Sequence, residues 1–224
     1  MQKPVDDAVR RIVDVLFSFA VIVILSPVFI LVAIVIMIDD GRPVFFSQER
    51  VGAGGKTFRI LKFRSMRRAS GGSLITAAGD PRVTHAGAIL RKLKLDELAQ
   101  FFNVLRGEMS LCGPRPEVPR YVDLKDPVWQ EILRVRPGIT DPASLCYLNE
   151  EELLASVEDP ERTYRETILP EKLSISLRYQ STRSLWTDFT LICLTVRHSL
   201  TRKQSNRQSL ECTLWEGKSH GRRM

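Results

Sequence analysis

Histidine and cysteine are scarce in this chain, which has three histidines and four cysteines among its 224 residues. The cysteines form no C-x-x-C pair, and no histidine lies near one of them at the spacing of zinc ligands. This scarcity argues against a structural zinc site and against a disulfide framework. The thiols of Cys112, Cys146, Cys193 and Cys212 are interpreted as reduced, which fits a domain that faces the cytoplasm.

A phosphate-binding P-loop and recognised nucleic-acid motifs are also absent. The run Gly55-Lys56-Thr57 resembles the end of a P-loop, but that motif needs a glycine where Arg50 stands, which argues against an NTP-dependent kinase. Few aromatic residues interleave the basic stretches, so nucleic acid is not an expected partner. What remains is an excess of 33 Lys and Arg over 26 Asp and Glu, a formal charge of +7, which favours an anionic partner.

One long apolar segment runs from Ile12 to Ile38, and at about 1.5 Å per residue a straight helix of this length would cross a bilayer. Pro27 should break that helix, because it lacks an amide proton and clashes with the carbonyl of Val23, and Ser26 can bond a freed carbonyl. Basic residues flank both ends, and the positive-inside tendency keeps both on the cytoplasmic side. A re-entrant helical hairpin is therefore favoured over the alternative, a single-pass helix with a proline kink.

The whole sequence predicts an α+β fold, mainly α, with a re-entrant membrane helix over 1–40, a small domain over 41–200 and a basic tail over 201–224. A short β-hairpin is predicted from Val44 to Phe46 and from Lys56 to Arg64, around a glycine-rich turn. Helices are predicted over 84–92 with Thr84 as cap, from Asp96 to Gly107, and over 127–134, 149–156, 160–168 and 185–200. Loops or turns are predicted over 71–79, 110–119 and 136–140. The last helix is amphipathic, and its apolar face can lie on a membrane surface or pack against the core.

Asp96 and Glu97 are the strongest candidates for chemistry. Adjacent side chains on a helix point about 100° apart, so the two carboxylates would have different roles. They repel each other and would raise each other's pKa unless a cation holds them ionised, and Mg²⁺ bound by one carboxylate and by phosphate oxygens would do so. Arg91 and Arg115 supply planar guanidinium groups suited to phosphate. Alternatively, an acidic pair in the first turn of a helix only complements the helix dipole.

Lys62 and Arg64 share one face of the second hairpin strand by its two-residue period. They can bind substrate phosphate or form a solvated basic edge, and spacing alone does not separate the two. If the two carboxylates are only a helix cap, the chain would instead be a membrane-surface or nucleic-acid-binding protein. That alternative predicts strong salt-dependent binding with no turnover.

A series of motifs, in a fixed order, links the chain to a known family. They are Lys62-Phe63-Arg64-Ser65-Met66, the runs 91–100 and 103–110, Gly113-Pro114-Arg115-Pro116-Glu117 and Arg136-Pro137-Gly138-Ile139-Thr140. Together with the Ser26-Pro27 break, they resemble the signature of the monotopic phosphoglycosyl transferases, which are bacterial sugar transferases. The resemblance extends to about Leu200, and the chain is similar to the minimal catalytic unit of that family.

The resemblance implies transfer of a sugar-1-phosphate from a nucleotide-diphosphate sugar, with UDP as the expected nucleotide, to a membrane polyprenol phosphate. Asp96 would be the nucleophile that forms a covalent phosphosugar intermediate, and Glu97 would hold Mg²⁺. Arg91 and Arg115 would bind phosphate, with Lys62 as a further candidate. Arg64 is a candidate for the same role.

The resemblance also implies a location at the bacterial inner membrane, with the catalytic domain on the cytoplasmic face and a role in an early step of glycoconjugate synthesis. A homodimer is a further expectation. Ala99, Cys112 and Asp141 depart from the proline, aliphatic residue and glycine that are usual at these positions. The extra carboxylate of Asp141 is the departure that can alter a substrate-facing loop and with it the sugar specificity.

Overall fold

The structure is a computed structural model that describes residues 4–67 and 75–201. It confirms a mainly helical α+β fold. The helices are α1 (Pro4–Ile24), α2 (Ser26–Asp40), α3 (His85–Lys92), α4 (Gln100–Arg106), α5 (Pro127–Ile132), α6 (Pro142–Cys146), α7 (Glu150–Ala155), α8 (Pro160–Thr163), α9 (Leu169–Thr182) and α10 (Leu185–Thr201). The strands are β1 (Phe45–Val51), β2 (Thr57–Phe63), β3 (Ser110–Cys112) and β4 (Gly138–Thr140). The predicted tail beyond residue 201 and the first part of the predicted loop, residues 71–74, lie outside the described residues.

The apolar segment forms a bent pair of helices rather than one straight helix. α1 and α2 meet at Leu25 with a bend of 62°. Pro27 lies in the first turn of α2, where its missing N–H is tolerated, and the Ser26 hydroxyl donates to the carbonyl oxygen of Val23 at 2.8 Å, as predicted. Among the described residues no single helix is long and apolar enough to cross a membrane, whereas the bent pair is, by length and composition.

Both ends of the helix pair are bonded to the same domain. Near the start of α1, the Arg11 guanidinium donates to the last carbonyls of α4 at 2.6 and 3.1 Å. At the end of α2, the Asp39 carboxylate accepts the Ala86 N–H at the start of α3 at 3.0 Å. Arg64 donates to the carbonyl oxygens of Asp40 and Gly41 at 2.7 and 2.8 Å, which satisfies the free C-terminal carbonyls of α2.

The predicted hairpin is present, with β1 and β2 antiparallel from the Phe45–Phe63 pair to the Val51–Thr57 pair. The fully buried Asn103 of α4 completes the outer edge of β2. Its amide oxygen accepts the Leu61 N–H at 2.9 Å, and its amide nitrogen donates to the carbonyl of Arg59 at 2.8 Å. Both bonds lie just before Lys62 along the strand, so they hold this part of β2 against α4.

Two segments that were predicted as irregular contain a second sheet, so that prediction is wrong for them. β3 and β4 pair in parallel, with Ser110 opposite Gly138 and Cys112 opposite Thr140. Strands this short, placed between prolines and glycines, carry no readable two-residue period. The chains also approach closely, because a Cβ on Gly138 would lie 2.1 Å from the backbone nitrogen of Gly113, so only glycine fits there.

The helix predicted over 160–168 is the start of a longer helical stretch. α8 continues through a π-helical turn, Tyr164–Ile168, into α9, which was not predicted. Buried side chains from this stretch form the largest core cluster with Trp129 and Ile132 of α5. α10 packs one face on the core through the fully buried Leu191, while Trp186 on its other face is 71% exposed. Its exposed apolar face leaves the membrane-surface alternative as a prediction.

Candidate active site

The two candidate carboxylates lie directly after a sharp reversal of the chain. α3 ends at Lys92, and Lys94 adopts a left-handed conformation with φ of 57°, which is uncommon for a residue with a side chain. A 3₁₀ turn, Leu95–Ala99, follows and continues into α4. The sequence predicted an α-helix from Asp96, so the tighter turn is a difference. α4 ends at Gly107 with φ of 84°, as predicted.

Glu97 lies between two cations. Its Oε1 accepts from Lys62 Nζ at 3.0 Å and from an Arg115 guanidinium nitrogen at 2.5 Å. Burial would raise the pKa of Glu97, but Arg115 and then Lys62 outweigh it and hold that pKa well below its usual range. Glu97 is therefore ionised at neutral pH, and its contacts within the described part of the chain use only Oε1.

Asp96 has the opposite environment. It is 6% exposed, and its Oδ1 is buried with no hydrogen-bond partner among the described residues. Burial, and next the charge of Glu97, raise the pKa of Asp96, and Lys62 partly offsets this increase. A carboxylate that is desolvated and left without a partner is costly to the fold and reactive toward an electrophile, which is typical of a functional group rather than a helix cap.

The segment that carries Arg115 is held by contacts that the sequence analysis did not find. Arg50, at the end of β1, donates to the carbonyl of Pro116 and to the carboxylate of Glu117, each at 3.1 Å. The Tyr164 hydroxyl donates to the other oxygen of Glu117. No local spacing links residues 50, 117 and 164, so only the fold brings them together. They fix the backbone that directly follows Arg115, whose guanidinium binds Glu97.

The remaining predicted site residues line the same cavity, which has a volume of about 1580 Å³. Lys62, Arg115 and Glu97 are in direct contact, with Asp96 next to them. Arg91 also lines the cavity, but its guanidinium contacts the sulfur of Met66 and pairs with Glu151 of α7. Arg64 is bonded to the C-terminus of α2, so its predicted phosphate contact stays a prediction.

The donor set fits a Mg²⁺ ion that shares its ligands with a substrate. Within residues 4–67 and 75–201, no group of three or more His, Cys, Asp or Glu side chains could hold a metal alone. Mg²⁺ characteristically binds one or two carboxylates together with phosphate oxygens and water. The unpartnered Oδ1 of Asp96 and the second oxygen of Glu97 are carboxylate oxygens of this kind, and both residues line an open cavity.

Comparison with known proteins identifies the family of this chain. The family model described as bacterial sugar transferase matches residues 5–202. The chain belongs to the bacterial sugar transferase family. The match spans the bent helix pair, Asp96, Glu97 and Arg115, and it confirms the family that the motifs indicated.

This bacterial sugar transferase has curated relatives that differ in length. It is 37% identical over 206 residues to the UDP-N-acetylgalactosamine-undecaprenyl-phosphate N-acetylgalactosaminephosphotransferase of Aeromonas hydrophila, covering 90% of this chain and 46% of that protein. Identity is 34% over 200 residues to the UDP-glucose:undecaprenyl-phosphate glucose-1-phosphate transferase of Caulobacter vibrioides, covering 87% and 71%. The chain thus spans about half the length of the Aeromonas protein and 71% of the length of the Caulobacter protein.

Proposed function

We propose that this bacterial sugar transferase moves a sugar-1-phosphate from a nucleotide-diphosphate sugar, a UDP-sugar in the first instance, to a polyprenol phosphate in the membrane. The proposal rests on the different environments of two neighbouring carboxylates in the cavity, those of Asp96 and Glu97. Asp96 is buried without a partner, and Glu97 beside it is neutralised by Lys62 and Arg115. The names of the relatives, which act on UDP-sugars and undecaprenyl phosphate, support the same pair of substrates.

In the first half-reaction the carboxylate of Asp96 attacks the phosphorus that carries the sugar. The bond from that phosphorus to the bridging oxygen breaks, and the nucleoside monophosphate leaves with the bond's electron pair. Asp96 then holds the sugar phosphate as an acyl phosphate. Arg115 is placed to bind the phosphate oxygens and to offset the charge that develops during transfer.

In the second half-reaction an oxygen of polyprenol phosphate attacks the same phosphorus. The bond to Asp96 breaks, the carboxylate is restored and the lipid leaves as a polyprenol-diphosphate sugar. Glu97, with the free oxygen of Asp96, would hold Mg²⁺, which supplies charge neutralisation at the diphosphate when bound. Lys62 and Arg115 keep Glu97 ionised for that role, because both lower its pKa.

The helix pair supports a re-entrant anchor. Arg11 near the start of α1 bonds to α4, and Asp39 at the end of α2 bonds to α3, which supports both ends of the pair lying on the same side of a membrane. Apolar residues near the bend, including Phe19, Ile24 and Ile30, are exposed, as a lipid-facing surface would be. The proposed location is the bacterial inner membrane, with the cavity on the cytoplasmic face. Self-association into the expected homodimer stays a prediction.

The function is tested with purified, detergent-extracted protein, a panel of nucleotide-diphosphate sugars and Mg²⁺. The expected result is release of nucleoside monophosphate, followed by a lipid-linked sugar when polyprenol phosphate is added. Chelation of divalent ions should stop both. Tight, salt-sensitive binding to anionic vesicles with no release from any nucleotide sugar would instead support the alternative of a membrane-surface binding protein.

Replacing Lys62 with methionine is expected to change the pH dependence of nucleoside monophosphate release. Asp96 must be ionised to attack, so activity is lost as pH falls through its pKa. Lys62 lowers that pKa, and its removal raises it further, which moves the acidic limb of kcat/KM to higher pH by about one unit. Lys56→Met, at an exposed position on the hairpin turn, should leave the limb in place. An unshifted limb in Lys62→Met would show that Asp96 is not the titrating group.

The anchor predicts the accessibility of both ends of the helix pair. In spheroplasts, cysteines introduced as Asp7→Cys and Arg42→Cys should both be protected from a membrane-impermeant maleimide and should both react after lysis. The unmodified chain provides the background from its own thiols. Labelling of exactly one of the two positions from outside would replace the re-entrant anchor with a single-pass helix.

A further inference from the structure

The parallel strand pair brings a further carboxylate to the cavity. β3 and β4 run in the same direction, so the chain leaves both at the same edge, a place where ligands commonly bind. Arg115 lies just beyond β3, Asp141 directly follows β4, and the Gly113 N–H donates to the carbonyl of Thr140 at 3.1 Å. This hydrogen bond joins the two strand ends, so Arg115 and Asp141 follow the strands at one edge of the pair. Both line the cavity that holds Asp96.

One oxygen of Asp141 has a structural role and the other has none. Its Oδ2 caps α6 by accepting from the backbone N–H and the hydroxyl of Ser144, at 3.1 and 3.3 Å. Its Oδ1 is buried and has no hydrogen-bond partner in the described part of the chain, although the residue is only 2% exposed. A buried carboxylate oxygen without a donor is a cost to the fold that capping does not explain.

Two other residues show what capping alone looks like in this chain. Asp126 and Asp159 also precede a proline and cap a short helix, accepting the N–H of Val128 at 2.8 Å and of Arg162 at 2.9 Å. Neither borders the cavity, and neither has a buried oxygen without a partner. The unpartnered oxygen is thus specific to the cap beside Arg115.

We infer that Asp141 accepts a hydrogen bond from the sugar ring of the donor substrate and contributes to sugar selection; this rests on the proposed function. A carboxylate repels phosphate, so the substrate group that pairs with this oxygen is a hydrogen-bond donor rather than the phosphate itself. A sugar ring attached to the phosphate bound by Arg115 presents hydroxyl groups or an amide N–H there. Polar groups buried in a site discriminate strongly, because a sugar that lacks the matching donor leaves the carboxylate unpaired.

The test compares Asp141→Asn with the unmodified protein on UDP-sugars that are epimers or deoxy analogues of one another. Asparagine keeps an oxygen for the cap and removes the charged acceptor. The ratio of kcat/KM between the preferred sugar and its analogues should fall by about tenfold or more. Inhibition by free UMP should not change, which distinguishes a contact with the sugar from one with the nucleotide. Asp126→Asn, the matched cap, should keep the original ratio.

Asp141→Ser, which keeps a capping hydroxyl, is the second variant, and thermal unfolding shows which variants are folded. If folded Asp141→Asn and Asp141→Ser rank the sugars as the unmodified protein does, the inference is wrong, whether or not overall activity falls. A changed inhibition by UMP with an unchanged ranking would move the contact to the nucleotide and also overturn it. Absence of nucleoside monophosphate release by the unmodified protein would remove the proposed function itself.

Discussion

Asp96→Asn is expected to reduce nucleoside monophosphate release by about 10⁴-fold or more, even without a lipid acceptor. The first half-reaction needs a carboxylate oxygen to attack phosphorus, and a neutral amide is a poor nucleophile in the same position. Single-turnover release from a UDP-sugar measures this step alone. Intact mass of the unmodified protein, quenched during reaction without acceptor, should show an added sugar phosphate that the variant lacks.

The same substitution should not harm the fold. The pKa of Asp96 is raised in the folded state by burial and by Glu97, so the folded protein disfavours the ionised form. This cost is present at pH values above the raised pKa and disappears below the ordinary value of an aspartate. At neutral pH, asparagine removes the cost, and the melting temperature of Asp96→Asn should equal or exceed that of the unmodified protein.

Asp159→Asn provides the matched control, because it makes the same chemical change at a helix cap away from the cavity. It should keep full activity. Release by folded Asp96→Asn within tenfold of the unmodified rate would exclude Asp96 as the nucleophile. The same conclusion would follow if lipid product accumulated while no adduct on the protein could be trapped.

Much of the helical part of the fold, although not α9, could be predicted, and Asp96 and Glu97 could be chosen as candidates, because these signals are local. The Thr84 cap accepts the N–H of Gly87 at 2.9 Å as its sequence position indicates, and Gly107 ends α4 in a left-handed conformation. Ser26 likewise bonds the carbonyl of Val23. Each of these depends on neighbours within four residues, so the sequence alone contains the needed information.

The parts that were missed depend on contacts between distant segments. β3 and β4 are too short to show a period, and what stabilises them is the approach of Gly113 to Gly138. Lys62 was left between a phosphate ligand and a solvated edge because its partner, Glu97, lies on another element. Asp141 was predicted to alter a substrate-facing loop and the sugar specificity, but the sequence analysis assigned it no partner and no position in the cavity. Its unpartnered oxygen became visible once the parallel pair placed it near Arg115.

Arg115→Ala is expected to lower kcat/KM for nucleoside monophosphate release by about 10² to 10³-fold. The guanidinium has two roles in the proposed mechanism, because it binds substrate phosphate and it is the first cause of the lowered pKa of Glu97. Without it, Lys62 is the one direct partner that Glu97 keeps among the described residues, and the pKa of Glu97 rises. The variant should therefore also need more Mg²⁺ for half-maximal activity, and this need should grow as pH falls, since protonation removes a ligand.

Arg115→Lys separates the two roles. Lysine keeps a positive charge near Glu97 but loses the planar fork that holds two phosphate oxygens. The Mg²⁺ concentration for half-maximal activity should therefore return close to that of the unmodified protein, while kcat/KM should stay low. Arg134→Ala removes an exposed arginine that pairs with the nearby Glu131, and it should change neither quantity. If Arg115→Ala stayed within threefold of the unmodified kcat/KM, the contact with Glu97 would be structural, and phosphate binding would have to be assigned to Arg91 or Lys62 instead.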